Sequence, residues 1–233
     1  MAGDDTRNNV QQQIVDLSRH LSRRGFFAAT GGNLALRIDA LHIAVTPSAT
    51  DYFSMRPEDV CVLRLKDLRQ LSGERSPSVE SELHAKVLRS RPDVNCSIHT
   101  HQPLASACTL FGKALDVPYP PLWKSLGKRI QLVGYAPSGS GWLAGKLGRA
   151  IRSDHNVYLM RNHGVLCCGA DIETTLTRLE DLETFCRDHL VNQIKVNTRG
   201  KPESRAAVAH LINALTSSSS HALSPQTFSE TQS

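Results

Sequence analysis

Aromatic residues are scarce in this 233-residue chain, at 5%, with only 2 Trp. That scarcity argues against a stacking platform for carbohydrate or single-stranded nucleic acid. Lys/Arg-rich runs are absent too: the densest basic spots are Arg19, Arg23 and Arg24, then Arg149 and Arg152. The net charge of +5 is therefore spread thinly, which suits an anionic small molecule better than a nucleic acid, whose readers concentrate charge on one face. No apolar stretch approaches bilayer-spanning length, and the opening MAGDDTRNNV holds no apolar leader core. The expectations are no nucleic-acid partner, no membrane partner and a cytoplasmic location. Six cysteines (Cys61, Cys96, Cys108, Cys167, Cys168 and Cys186) form no CxxC pair and read as reduced thiols packed as small hydrophobes. No internal repeat is found.

What is present is an ordinary globular balance, 40% apolar and 21% charged, in a chain long enough to bury a core without disulfides. Residues 1–9 are polar and expected to fray, and the Ser-rich end from Ser217 to Ser233 is too polar to join a core. The folded unit is expected at residues 10–197. A C-terminal extension, 198–233, follows, with a possible short helix around Ser204–Leu215 where Ala207, Leu211 and Leu215 repeat. Within the unit, helical patterns (Val10 to Leu21, Leu83 to Arg91, Leu143 to Ile151, Leu176 to Leu190) alternate with strand patterns. The strands fall at 34–38, 41–46, 59–65, 94–99, 131–135, 156–160 and 165–168. Interleaving places the chain in the α/β or α+β class, and short turns between successive strands favour a partly antiparallel sheet.

The sharpest chemical signal is His99-Thr100-His101. Side chains two apart on a strand share a face, so both imidazoles point one way, as a two-point grip on a transition metal or as two partly buried polar residues. His163 sits in the tight turn Asn162-His163-Gly164 between apolar runs, and Glu80 opens the helix that leads into the His99 strand. If they converge, three histidines and a carboxylate make an open catalytic metal site. Otherwise Glu80 is a first-turn carboxylate that favours a helix N-terminus. The other histidines, His20, His84, His155, His189, His210 and His221, take surface positions in helices, turns or tail, and His42 lies in a strand.

A second grouping suits an anion. Thr30-Gly31-Gly32-Asn33 offers backbone N–H groups free of Cβ obstruction, Thr46-Pro47-Ser48 adds hydroxyl donors, and Ser78 stands at a helix start. Each piece has a plainer reading as a turn or a cap.

In this order, Thr30-Gly-Gly-Asn33, Val45-Thr-Pro-Ser48, Pro77-Ser-Val-Glu80, His99-Thr-His101 and Arg161-Asn-His-Gly164 resemble the class II aldolase/adducin family, as do Asp51–Val60 and Tyr135–Gly139. The resemblance spans about residues 10–195. It implies a three-layer α/β/α fold with a mixed, largely antiparallel central sheet. It implies Zn2+, or another divalent ion such as Mn2+ or Co2+, on His99, His101 and His163. Glu80 becomes the catalytic acid/base, a role that asks for a raised pKa, and substrate phosphate lies against Gly32, Asn33, Ser48 and Ser78. The implied reaction is retro-aldol cleavage of a small ketose phosphate through a metal-held ene-diolate, by a homo-oligomer, tetrameric by analogy. Same-site dehydration, epimerisation or decarboxylation is the alternative, and a non-catalytic adducin-like interaction module is another. Val79 and Ala49 depart from the aldolase pattern, and Val117–Lys124, with Tyr119 and Trp123, supplies no clear tyrosine proton donor.

Overall fold

Short apolar, β-rich runs write the central strands, and the computed structural model, which describes residues 2–27, 31–199 and 205–217, places them in one sheet. In chain order they are β1 (Asn33–Arg37), β2 (His42–Val45), β3 (Cys61–Arg64), β4 (Gln70–Ser72) and β5 (Cys96–Thr100). They continue as β6 (Leu115–Asp116), β7 (Arg129–Val133), β8 (Val157–Met160) and β9 (Gly164–Gly169). Their order across the sheet is β4-β3-β2-β1-β5-β9-β8-β7-β6. Every neighbouring pair is antiparallel except β7 and β8, which run parallel. Helices are α1 (Ala2–Arg23), α2 (Ser81–Ser90), α3 (Pro103–Cys108), α4 (Trp123–Leu126), α5 (Gly141–Ala150), α6 (Ile172–Asn197) and α7 (Arg205–Ser217). Met1–Thr184 and Phe185–Ser233 are two compact units, and the whole sheet belongs to the first.

The sheet is covered on both faces, giving the expected three-layer α/β/α arrangement. On one face Ala35, Ile43, Val45, Leu63, Tyr158, Met160 and Leu166 pack with Leu83, Val87 and Leu88 of α2 and Leu143, Ala144 and Leu147 of α5. The alternate residues of the strands turn to the other face, where α1 packs on β1 and β2, and α3 on β8 and β9. Burying side chains this size stabilises by roughly 1.5–3 kcal/mol each before chain entropy is charged. Side-chain caps mark the starts of α5 and α6. Ser140 Oγ accepts the Leu143 N–H (3.3 Å) at α5, and Asp171 Oδ1 accepts the Thr174 N–H (2.7 Å) before α6.

Several local expectations change. Residues 2–9 are helical rather than frayed: α1 continues towards its N-terminus beyond its buried stripe of Ile14, Leu17 and Leu21, with Asp5, Thr6, Asn8 and Asn9 exposed. Edge strand β4 is exposed along its whole length and so carries no apolar alternation to announce it. The α2 helix starts at Ser81, with Glu80 as its N-cap, three residues after Ser78. His84 is fully buried, not on the surface. All six cysteines are buried thiols outside any disulfide. Thr30, His221 and the Ser-rich residues 218–233 lie outside the described residues. Among the described residues, no helix is long and apolar enough to cross a membrane.

Candidate active site

Strand direction gathers the chemistry at one end of the sheet. β5 and β9 are antiparallel, β9 and β8 are antiparallel, and β7 is parallel to β8, so β5, β8 and β7 all run the same way. Their C-terminal ends therefore open together, delivering His101, the Asn162-His163 turn and the Tyr135–Ser138 segment. β1 runs antiparallel to β5, so its first residue, Asn33, stands directly opposite His99 at that same end.

His99 is completely buried near the end of β5. Its Nδ1–H donates to the carbonyl of Val165 on β9 (2.8 Å), which fixes the ring and leaves Nε2 as a bare acceptor facing outwards. His101 follows the strand and brings its own Nε2 to 2.9 Å from that of His99. His163 is presented by a tight turn in which its N–H donates to Met160 O (3.0 Å) and Asn162 adopts a left-handed φ of 54°. The three rings meet edge-on, with centroids 4.7, 4.9 and 5.3 Å apart. Gly164 lets them meet, because a Cβ there would lie 2.5 Å from Thr100 O, 2.6 Å from His101 Cδ2 and 3.0 Å from His99 Cε1.

The donor set fits a divalent ion. One ring nitrogen from each of His99, His101 and His163 lies within 4.8 Å of the others. His99 Nε2 and His101 Nε2, 2.9 Å apart, share a hydrogen bond in the absence of a metal, and both can turn lone pairs to one ion when His101 carries its hydrogen on Nδ1. Burial, joined by the neighbouring His101 and His163 rings, outweighs the pull of Glu80 and pushes His99 down to about 3. Burial and His163 lower His101 as well. Three imidazole nitrogens so placed are the ligands borderline divalent metals take, with a coordination position left open.

Glu80 reaches this cluster from the first turn of α2. Its Oε1 lies 3.1 Å from His163 Nε2 and its Oε2 lies 3.3 Å from His99 Nε2. Asn33 Nδ2 donates to Oε2 (2.9 Å) and Ser138 Oγ donates to Oε1 (2.7 Å). Burial alone raises this carboxyl, as an acid/base role invites. Hydrogen bonding to His163, the nearby His99 ring and the donors Asn33 and Ser138 together overcome it and hold Glu80 below the usual carboxylate range. The side chain is thus a buried carboxylate at neutral pH, contrary to the raised value expected from its burial.

The anion-binding pieces converge in part. Ser48 N–H donates to Ser76 O (2.9 Å) and Ser78 N–H to Thr46 O (3.1 Å), with Pro47 and Pro77 bridged, so the two Pro-Ser turns lie side by side. Ser78 Oγ accepts the Glu80 N–H (3.2 Å), which binds this turn to the carboxylate. Gly32 has a left-handed φ of 91°, and a Cβ there would stand 2.3 Å from the Phe27 ring, so backbone conformation and packing by themselves demand glycine. Thr46 differs from expectation: its hydroxyl is buried against β1, accepting the Leu34 N–H (3.2 Å), and offers no donor outward. Trp123 donates its indole N–H to Val117 O, and Tyr119 is exposed.

Three polar residues at or behind the site escape the motif reading. Ser138 lies in the Tyr135–Gly139 segment that resembles the family, yet a lone serine between Pro137 and Gly139 carries no signal of its own. His84 and Ser97 extend the Asn33 contact away from Glu80. The available hint is spacing, since Glu80 and His84 are four apart on one helix and Ser97 and His99 two apart on one strand.

Fold and site together define a three-imidazole centre with a buried carboxylate at one end of a two-sided α/β sheet. The Class II Aldolase and Adducin N-terminal domain pattern matches residues 12–190, and the chain belongs to this family. It is 32% identical over 179 residues to the 5-deoxy-D-ribulose 1-phosphate aldolase of Bacillus thuringiensis serovar kurstaki, covering 76% of this chain and 81% of that one. With the L-fuculose phosphate aldolase of Methanococcus maripaludis it shares 28% over 183 residues, 78% of this chain and 97% of the relative. A solved L-fuculose 1-phosphate aldolase has the same fold, with a TM-score of 0.73 at 21% identity over 89% of this chain and 96% of that one.

Proposed function

We propose that this chain is a metal-dependent lyase that cleaves a small ketose phosphate in the retro-aldol sense. The observation that carries the reading is Glu80, held as a buried carboxylate within 3.3 Å of ligating nitrogens on His99 and His163. His99, His101 and His163 would hold the ion, most suitably Zn2+, with Mn2+ or Co2+ as substitutes. When bound, the ion supplies Lewis acidity, polarising the substrate's carbonyl and hydroxyl oxygens and spreading the charge released as the C–C bond breaks.

Glu80 moves the proton. As a carboxylate it accepts the proton of the hydroxyl that becomes the aldehyde, and it returns that proton to the carbon left beside the carbonyl. Asn33 and Ser138 aim its two oxygens. The phosphate lies against Gly32, Asn33, Ser48 and Ser78, where two Pro-Ser turns run together. A modest positive surplus, a cytoplasmic location and a homo-oligomeric, tetrameric assembly accompany this reading.

Two measurements test it. Protein purified without added ions should carry about one zinc-type ion per chain. A panel of ketose phosphates should yield dihydroxyacetone phosphate and an aldehyde. Release of water or carbon dioxide, or inversion of a stereocentre, would replace aldol cleavage by a sister reaction. Persistent absence of metal after reconstitution would make the chain an interaction module.

A further inference from the structure

Behind Glu80 runs a file of buried polar side chains that no proposed binding or proton-transfer step accounts for fully. Ser97 Oγ is 2.8 Å from His84 Nδ1, His84 Nε2 is 2.7 Å from Asn33 Oδ1, and Asn33 Nδ2 is 2.9 Å from Glu80 Oε2. Ser97 and His84 are fully buried, and Asn33 and Glu80 nearly so. Their positions follow from the elements. Glu80 caps α2 and His84 lies one turn further along the same helix, while Asn33 on β1 bridges the two. Ser97 sits two residues before His99 on β5, on the same face.

The placement of the Asn33 amide sets the arrangement of protons along this file. Its Nδ2 faces Glu80 Oε2 and donates to it (2.9 Å). That leaves Asn33 Oδ1 facing His84, whose Nε2 must then carry the hydrogen. Nδ1 is left bare and accepts the Ser97 hydroxyl hydrogen. The opposite ring tautomer would reverse the Asn33 amide and set its oxygen against the carboxylate. We propose that His84 and Ser97 are positioning residues that lock the Asn33 amide in the one orientation that donates to Glu80. His84 touches no reacting atom. Its contribution is to remove the competing rotamer of Asn33, and with it a mobile carboxylate. Burial also pushes the His84 ring down to about 4, so it stays neutral through the physiological range and keeps its single N–H.

The inference rests on the reading of Glu80 as the proton carrier, and its test separates the two. His84→Leu removes the N–H, whereas His84→Gln retains a donor on a side chain of similar reach. The Leu variant should lose about 10–100-fold in kcat, with bound metal per chain unchanged, and the Gln variant should recover most of that loss. Equal kcat in His84→Leu and wild type, or equal impairment of both variants, would overturn the proposal by reducing His84 to packing. Nitrogen-15 NMR of histidine-labelled wild-type protein without substrate provides a reading independent of turnover and of variant folding. The signal that is lost in His84→Gln should show protonated Nε2 and bare Nδ1. A protonated Nδ1 would overturn the lock whatever the reaction. Failure of the wild type to cleave any ketose phosphate, with the expected tautomer present, would count against the reaction alone.

Discussion

Gly164 lies directly beneath His101: a Cβ on the glycine would stand 2.6 Å from the imidazole Cδ2 and 2.5 Å from the carbonyl of Thr100. The glycine is needed for this close approach, not for an unusual φ. Both neighbours are fixed, one as backbone and the other as a ring packed edge-on against two more. Gly164→Ala should therefore displace the ligands, with metal affinity falling about 10-fold or more, as competition with a chromogenic chelator would report. Unchanged affinity would mean that the three-ring geometry tolerates a shift of β9.

Glu80 and His163 should separate by phenotype. His163→Ala should lower the metal found per chain, whereas Glu80→Gln should keep most of it and lose about 10²–10⁴-fold in kcat. Elemental analysis beside steady-state kinetics distinguishes them. Equal metal loss in both would make Glu80 a ligand.

Ser138 supplies one of two neutral donors to Glu80, at 2.7 Å on Oε1. A donor to the charged form holds a carboxyl pKa down, so Ser138→Ala should move the acidic limb of the kcat/KM profile upward in pH. The rate at neutral pH should drop about 10–100-fold, the worth of one hydrogen bond to a charged group. A superimposable profile would leave Ser138 without influence on the carboxylate.

Away from the site, Asp59 links the turn before β3 to the segment after β4. Its nearly buried carboxylate accepts the Arg56 N–H (2.9 Å) and Arg75 Nε–H (3.1 Å). Burial raises its pKa, but these hydrogen bonds and the two guanidinium charges lower it further, to a net depression. A folded-state pKa below the unfolded one gives stability that is present above about pH 4 and lost as pH falls through the folded value. Both arginines are about half exposed, so screening keeps the contribution small. Asp59→Asn should cost about 1 kcal/mol in urea unfolding at pH 7, and the difference should shrink towards pH 3. A constant difference across that range would mean that the effect is packing and not charge.

Much of the fold is legible in the residues, and the reason lies in pattern. Four-residue apolar spacing in α2, α5 and α6 survives because each helix buries one face, while β5 and β8, buried on both faces, show as short β-rich apolar segments at Val94–His99 and Val157–Met160. β4 leaves no such trace, since an exposed edge needs no alternation, and β6 is only two residues long. His99 and His101 are readable as a pair because strand geometry alone puts them on one face. Their meeting with His163 and Glu80 depends on pairings such as His99 with Leu166, which spacing does not encode. His84 was misplaced for a related reason: a histidine on an amphipathic helix looks like its polar side, and only the buried Asn33 and Ser97 beneath it make burial affordable.

The common direction of β5, β8 and β7 has a consequence for the order in which the molecule is built. The ligands His99 and His163 are 64 residues apart (163 − 99), and no single hairpin contains both. They come within reach only after β9 docks along β5, a long-range closure that follows local hairpin formation. A bound ion is thus a reporter of the completed central sheet. Metal uptake during refolding should lag behind secondary structure and coincide with the last cooperative step.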